Sequence, residues 1–128
     1  MTFSYYFCIL IQKMTVMPDP IIRQHLLTAD FDSRALTSVQ VHEIRFSPGQ
    51  KAALHSHPCP VTGYILEGTA LLQVDGQEQQ VIHAGQAFYE PASTRILHFD
   101  NHSDTEPLQF VAFYLLNGRQ SLIEFIYE

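Results

Sequence analysis

Two histidines set two apart, His55 and His57, carry the clearest chemical spacing in this chain, within the run Gly49-Gln50-Lys51-Ala52-Ala53-Leu54-His55-Ser56-His57-Pro58. On a strand, residues i and i+2 face the same side. Two imidazoles so placed converge on one point, which suits a divalent metal ion. Leu54 and Ser56 face the other way. The pair alone equally describes two surface histidines at a strand end. Seven histidines stand against only seven lysines and arginines together, so the chemistry is sought among the imidazoles.

Other candidates are weaker. Cys59 lies two residues past His57 and offers either a soft metal ligand or a small residue in a loop. Glu90 shares a strand face with Phe88; if that face lines a cavity, the carboxyl is buried with a raised pKa, and otherwise it sits at a rim. Tyr64 and Tyr89 offer hydroxyls, although buried tyrosines commonly serve packing. His25, His42, His83 and His102 have no partner at ligand spacing.

The elements that hold these residues are short apolar runs cut by turn signals. Residues 21–28 read as a first strand and 29–36 as a loop. Residues 38–46 alternate and read as a strand, closed by Ser47-Pro48-Gly49. Five of the six glycines fall between residues 49 and 85, too close for ordinary helices. Asp75-Gly76 signals a hairpin joining 70–74 to 79–82. Further strands are read at 86–90 and 95–99. Residues 108–116 are almost continuously apolar, which predicts burial on both faces. Asn117-Gly118 reads as another hairpin turn before a last segment at 121–127, which reads as a strand or, alternatively, a short helix. Nine or ten short strands at this spacing predict an all-β sandwich or barrel.

The run from Gly49 through His55-x-His57 to Tyr64-Ile65-Leu66-Glu67-Gly68 resembles the first motif of the cupin superfamily. Gly85, Pro91, His98 and Asn101 resemble the second. The likeness spans about residues 38–116, and residues 57–64 with 88–91 look like a subgroup of small single-domain (cupin type-2) bacterial cupins. It implies a double-stranded β-helix, or jelly-roll barrel, over residues 18–128, with a metal held by two first-motif histidines, a first-motif acid and a second-motif histidine. His55 and His57 match. The acid position holds Thr62, preceded by Val61, and neither is a usual metal ligand. Ser93 stands at the second motif's glycine and Ile96 at its usual histidine. His98 lies two residues further on, and on a regular strand it shares a face with Ile96 at a displacement of about 6–7 Å. The metal ligands expected are therefore His55, His57 and His98, for a divalent transition metal: Zn, Fe, Mn, Ni or Cu. Arg95 and Asp100 flank His98.

Two functions are implied by the resemblance. One is a metal-binding cupin acting on a small molecule by dioxygenase-like or isomerase-like chemistry, in a barrel lined by Leu72, Phe88, Phe110 and Phe113. The other is a non-catalytic small-molecule-binding or sensing cupin with a degraded metal site. The resemblance also implies a homodimer, with the apolar N-terminal segment and residues 125–127 as contact surfaces.

Composition excludes several classes. The chain has 128 residues, 46% of them hydrophobic, and a formal net charge of −6. That suits one domain with a single core and is too apolar for disorder. An acidic balance with no basic cluster argues against nucleic acid. No apolar stretch approaches the ~20 residues of a membrane-spanning helix. Cys8 and Cys59 make no disulfide framework and read as free thiols, in keeping with a cytoplasmic location. Residues 2–11 are strongly apolar, but no basic residue precedes them and no small-x-small cleavage site comes after. They read as a weak signal or anchor, as an arm on a partner subunit, or as an extension upstream of a natural start at Met14 or Met17. Residues 1–17 are therefore set aside from the fold.

Overall fold

Turn residues at short intervals cut the described residues into nine strands. A computed structural model describes residues 18–128; the apolar run at 2–11 and the readings placed on it lie outside the described residues. The strands are β1 (Ser38–Phe46), β2 (His55–Ser56), β3 (Val61–Glu67), β4 (Thr69–Val74), β5 (Gln80–His83), β6 (Ala87–Glu90), β7 (Ile96–Asn101), β8 (Leu108–Leu116) and β9 (Glu124–Phe125). No helix occurs among the described residues. The strands form two antiparallel sheets, of order β1-β8-β3-β6 and β5-β4-β7-β2-β9. This is the all-β double-stranded β-helix that the motifs implied.

The core lies between the sheets. Along β8, Leu108, Phe110, Ala112, Tyr114 and Leu116 are buried while the residues between them are half-buried. Their outward face is partly covered: residues 24–29 run past Thr62, Tyr64 and Phe113 on the outside of the four-stranded sheet. Phe113 is therefore on the outer face, not in the barrel, and Leu72 is buried in the core. The covering segment is not the strand expected at 21–28, because residues 18–37 belong to no strand. Ile21 and Ile22 in it are almost fully exposed.

Two turns show how local chemistry is read by the fold. Asp75-Gly76 tips the β4–β5 hairpin as expected, with Gln77 N donating to Val74 O at 3.0 Å. Asn117-Gly118 does not make a hairpin. The chain after it crosses to the other sheet, where β9 pairs with β2 rather than β8. The expected last strand shrinks to two residues because β2, its partner, is itself only two residues long.

Gly63 is fixed by a close approach. It pairs with Phe88 on β6 and Ala112 on β8, and the Phe88 ring lies across its α-carbon. A Cβ there would stand 2.1 Å from Phe88 Cζ and 2.8 Å from the Val111 carbonyl oxygen. Only glycine lets the ring lie flat against the sheet. Gly63→Ala is expected to displace Phe88 and to cost about 1–3 kcal/mol by overpacking. The measurement is a urea unfolding curve, with a lowered midpoint and an unchanged slope.

Candidate metal centre

Inside the barrel, His55 and His57 come together with Glu90. One ligand atom from each of the three lies within 4.8 Å of the others, and all three residues are buried. His55 is on β2 and His57 lies just past its end. Glu90 ends β6 and pairs directly with Val61 on β3. The i, i+2 spacing thus turns both imidazoles inward, with ring centroids 4.9 Å apart.

The backbone sets the tautomers. His55 Nδ1 lies 2.6 Å from the Ala53 carbonyl oxygen, and His57 Nδ1 lies 2.6 Å from that of Leu122. A carbonyl oxygen only accepts, so each Nδ1 carries the proton and donates it. Each Nε2 then presents a lone pair to the interior. Glu90 Oε2 faces them, 2.6 Å from His57 Nε2 and 3.8 Å from His55 Nε2. It accepts no hydrogen bond of good geometry. Three lone-pair donors thus converge in a buried site. Such a group needs a cation. A divalent transition-metal ion fits: two imidazole nitrogens and one carboxylate oxygen are its usual ligands, and carbonyl-anchored Nδ1–H groups are the usual support behind such histidines.

Without a metal, a proton meets the same need. Burial pulls the His55 pKa down, but the nearby Glu90 carboxylate and the Ala53 carbonyl outweigh it, and the net shift is upward. Burial pushes Glu90 up, but the two imidazoles reverse it, and its carboxyl titrates below the usual range. Glu90 is therefore a buried acid on the cavity side of its strand, but with a lowered pKa rather than a raised one.

The other candidates lie elsewhere. His98 is not part of the group. Its side chain is 41% exposed, and its Nδ1 lies 3.2 Å from Asp100 Oδ2. The reason is a β-bulge. Gln73 pairs with His98 and Val74 with Ile96, leaving Leu97 unmatched. The extra residue breaks the alternation, so Ile96 and Phe99, three apart, are both buried and His98 turns away. Cys59 is a buried free thiol outside the ligand group, and burial raises its pKa. Tyr64 and Tyr89 are half-buried and do not line the cavity beside the histidines. Sequence reasoning weighed Glu90 but did not place it with the histidines. The signal that could have done so was its position at the inner end of a strand that must pair with the one holding Val61.

Beside the three ligands lies a cavity of about 190 Å³. Its walls include Phe46, Phe88, Phe99 and Phe110, packed edge to face with centroids 5.1–6.0 Å apart except for Phe99 and Phe110, which are tilted at 4.8 Å. Tyr114 also lines it, 5.8 Å from His57 between ring centroids. Burial, and then the charge of Glu90, push the Tyr114 phenol up to about 12, so it stays protonated.

Residues 42–114 match the cupin domain model, and the chain belongs to that family. No curated protein matches the chain. Among solved structures it resembles a cupin-like protein from Thermotoga maritima, with 20% identity over 69% of this chain and 64% of that one and a TM-score of 0.59. It also resembles the DMSP lyase DddQ from Ruegeria pomeroyi DSS-3, at 17% identity, 70% and 44% coverage and a TM-score of 0.61. A third is an oxalate oxidase in complex with the substrate analogue glycolate, at 25% identity, 69% and 46% coverage and a TM-score of 0.57. The chain spans less than half the length of the last two.

The two pKa shifts predict a stability profile for the metal-free protein. A carboxyl with a lowered folded pKa contributes stability above its ordinary value of 4.5 and loses it as the pH falls through the folded value. An imidazole with a raised folded pKa contributes fully below its ordinary value of 6.5 and loses it as the pH rises through the folded value. The site's contribution to Tm is expected to be largest between these two values. A saturating divalent metal ion should remove the alkaline decline, because it binds the deprotonated ligands. Thermal unfolding across pH, with and without zinc, checks both.

Proposed function

We propose that the protein is a metal-dependent cupin acting on a small, largely apolar molecule, with dioxygenase-like or isomerase-like chemistry. The observation that carries this reading is the convergence of three buried lone-pair donors, His55, His57 and Glu90, on the wall of a cavity. Two histidines and one carboxylate suit non-haem iron with open positions, and equally suit zinc. When bound, the ion would supply Lewis acidity and coordination positions for a substrate. The chain's own residues do the rest. The Ala53 and Leu122 carbonyls hold the imidazoles in one tautomer and orientation. The phenylalanine walls give the cavity an apolar lining, and the protonated Tyr114 hydroxyl is available to donate a hydrogen bond.

The alternative is a non-catalytic small-molecule-binding or sensing cupin. It is favoured by Thr62, with buried Val61 before it, where the family resemblance leads one to expect an acid, and by buried Ile96 where it leads one to expect a histidine. Glu90 answers half of that objection. It is the direct cross-strand partner of Val61, and such partners carry their side chains on the same face, about 5 Å apart. The carboxylate is thus presented from the adjacent strand.

Protein made without an affinity tag is expected to hold about one divalent metal ion per chain, a site of three protein ligands keeping one ion with open positions. His57→Ala and Glu90→Ala should each lower metal affinity at least tenfold, and His98→Ala should leave it unchanged. Adding Val61→Glu to Glu90→Ala should restore binding, because the acid then returns from the neighbouring strand. Metal content by elemental analysis and a competing chelator give these results. Unchanged content in all variants would remove the basis of the metal reading.

We also propose a homodimer. β1 is a nine-residue edge strand, with Val39 and Val41 more than half exposed, and Phe125 and Tyr127 are exposed at the end of the chain. Long apolar edges invite pairing. Light scattering at micromolar concentration is expected to give twice the chain mass of 14.6 kDa, and Val41→Lys should reduce it toward the single-chain value.

A further inference from the structure

The polar groups of the cavity are few and all on one side. Lys and Arg are absent from its lining, and its one formally charged group is the Glu90 carboxylate. Both Nδ1–H groups of the histidines are already donated to carbonyls. That leaves the Tyr114 hydroxyl as the lining side chain with a donor to offer. The remaining lining is aliphatic or phenylalanine. At about 190 Å³ the cavity has room for a small ligand.

Taking the metal reading as its basis, we propose that the cavity selects a small molecule with a single oxygen-donor end and an apolar body, such as a monocarboxylate or a phenol, and rejects dicarboxylates. One oxygen end reaches the metal and the Tyr114 hydroxyl. The body then replaces water along the phenylalanine walls. A second carboxylate not taken by the ion would lie against Phe88, Phe99 and Phe110, where the lining offers it no Lys, Arg or side-chain donor. Charge gives the same answer. Two neutral imidazoles, one carboxylate and one divalent ion sum to +1, which a monoanion neutralises and a dianion overshoots.

The test compares isobutyrate with malonate, which differ little in size. Free aqueous zinc prefers malonate, because both of its carboxylates chelate. In the zinc-loaded protein, calorimetry is expected to reverse that order, with isobutyrate at least tenfold tighter. Affinity should also climb about fourfold per added buried CH₂ from acetate to propionate to isobutyrate. Ile123, the most exposed of the lining residues at 37%, marks the rim. Ile123→Lys should strengthen malonate about tenfold, because it gives the second carboxylate a cation. Malonate binding as tightly as isobutyrate in the unmodified protein, or an affinity flat across the acid series, overturns the inference. Failure to take up zinc overturns the metal reading alone. The cavity is then judged in the metal-free protein by phenol against malonate: phenol binding tighter upholds its apolar selectivity, and equal or tighter malonate binding overturns it.

Discussion

Three buried lone pairs cannot face one another without a positive charge between them. That constraint organises this protein. Desolvating a carboxylate is costly, and leaving it beside two lone pairs adds repulsion. The chain holds the three groups together all the same. It fixes each imidazole by a hydrogen bond on the far side of the ring, and so turns the bare nitrogens toward the carboxylate. Without a cation the arrangement opposes folding; with a proton or a metal ion it holds the two sheets together. The charge balance of the site and the stability of the barrel are therefore coupled.

The fold is arranged to keep that convergence. Glu90 comes from the four-stranded sheet and His55 from the five-stranded sheet, so the site bridges the two layers. The end of the chain closes it. Leu122 supplies the carbonyl that orients His57, Ile126 N donates to Leu54 O, and the Gln120 side chain donates to Pro58 O. The second-motif turn is tied in as well. Ser93 takes the left-handed conformation, with φ of 56°, that glycine adopts most readily, and its N–H donates to the His57 carbonyl at 2.7 Å. The hydrogen bonds that hold His57, at its ring and at its carbonyl, thus come from backbone groups, which side-chain substitution does not remove.

Where patterns were local, the sequence could be read. Alternation placed β1, the turn dipeptide placed the β4–β5 hairpin, and the spacing of His55 and His57 placed two ligands on one face. Where the outcome depended on pairing between distant segments, local signals misled. His98 and Ile96 share a face only on an unbroken strand, and the bulge at Leu97 arises from pairing with β4. Asn117-Gly118 has the composition of a hairpin turn, but the path of the chain beyond it is governed by β2 across the barrel. Residues 21–28 have the apolar content of a strand, yet residues 24–29 lie along the outside of the sheet rather than in it. Glu90 was visible as a candidate acid, but its partners are thirty-odd positions earlier in the chain, and only the register of β6 on β3 brings them together.

That register also explains how the site can lack two expected side chains and still be coherent. Val61 faces Glu90 across β3 and β6, so replacing an acid at one and placing it at the other moves the carboxylate sideways by one strand, about 5 Å, without turning it out of the barrel. The exchange is not neutral for the cavity. The strand that would have carried the acid now contributes Val61 to the wall. Ile96, paired directly with His55, fills the position next to the imidazole with a buried aliphatic group. The carboxylate is moved rather than lost, so the convergence point keeps His55, His57 and Glu90, with Val61 on the cavity wall and Ile96 buried beside His55. Under the proposed metal reading, three protein ligands would leave coordination positions open, and the hydrocarbon around them would disfavour a substrate whose polar groups find no partner there.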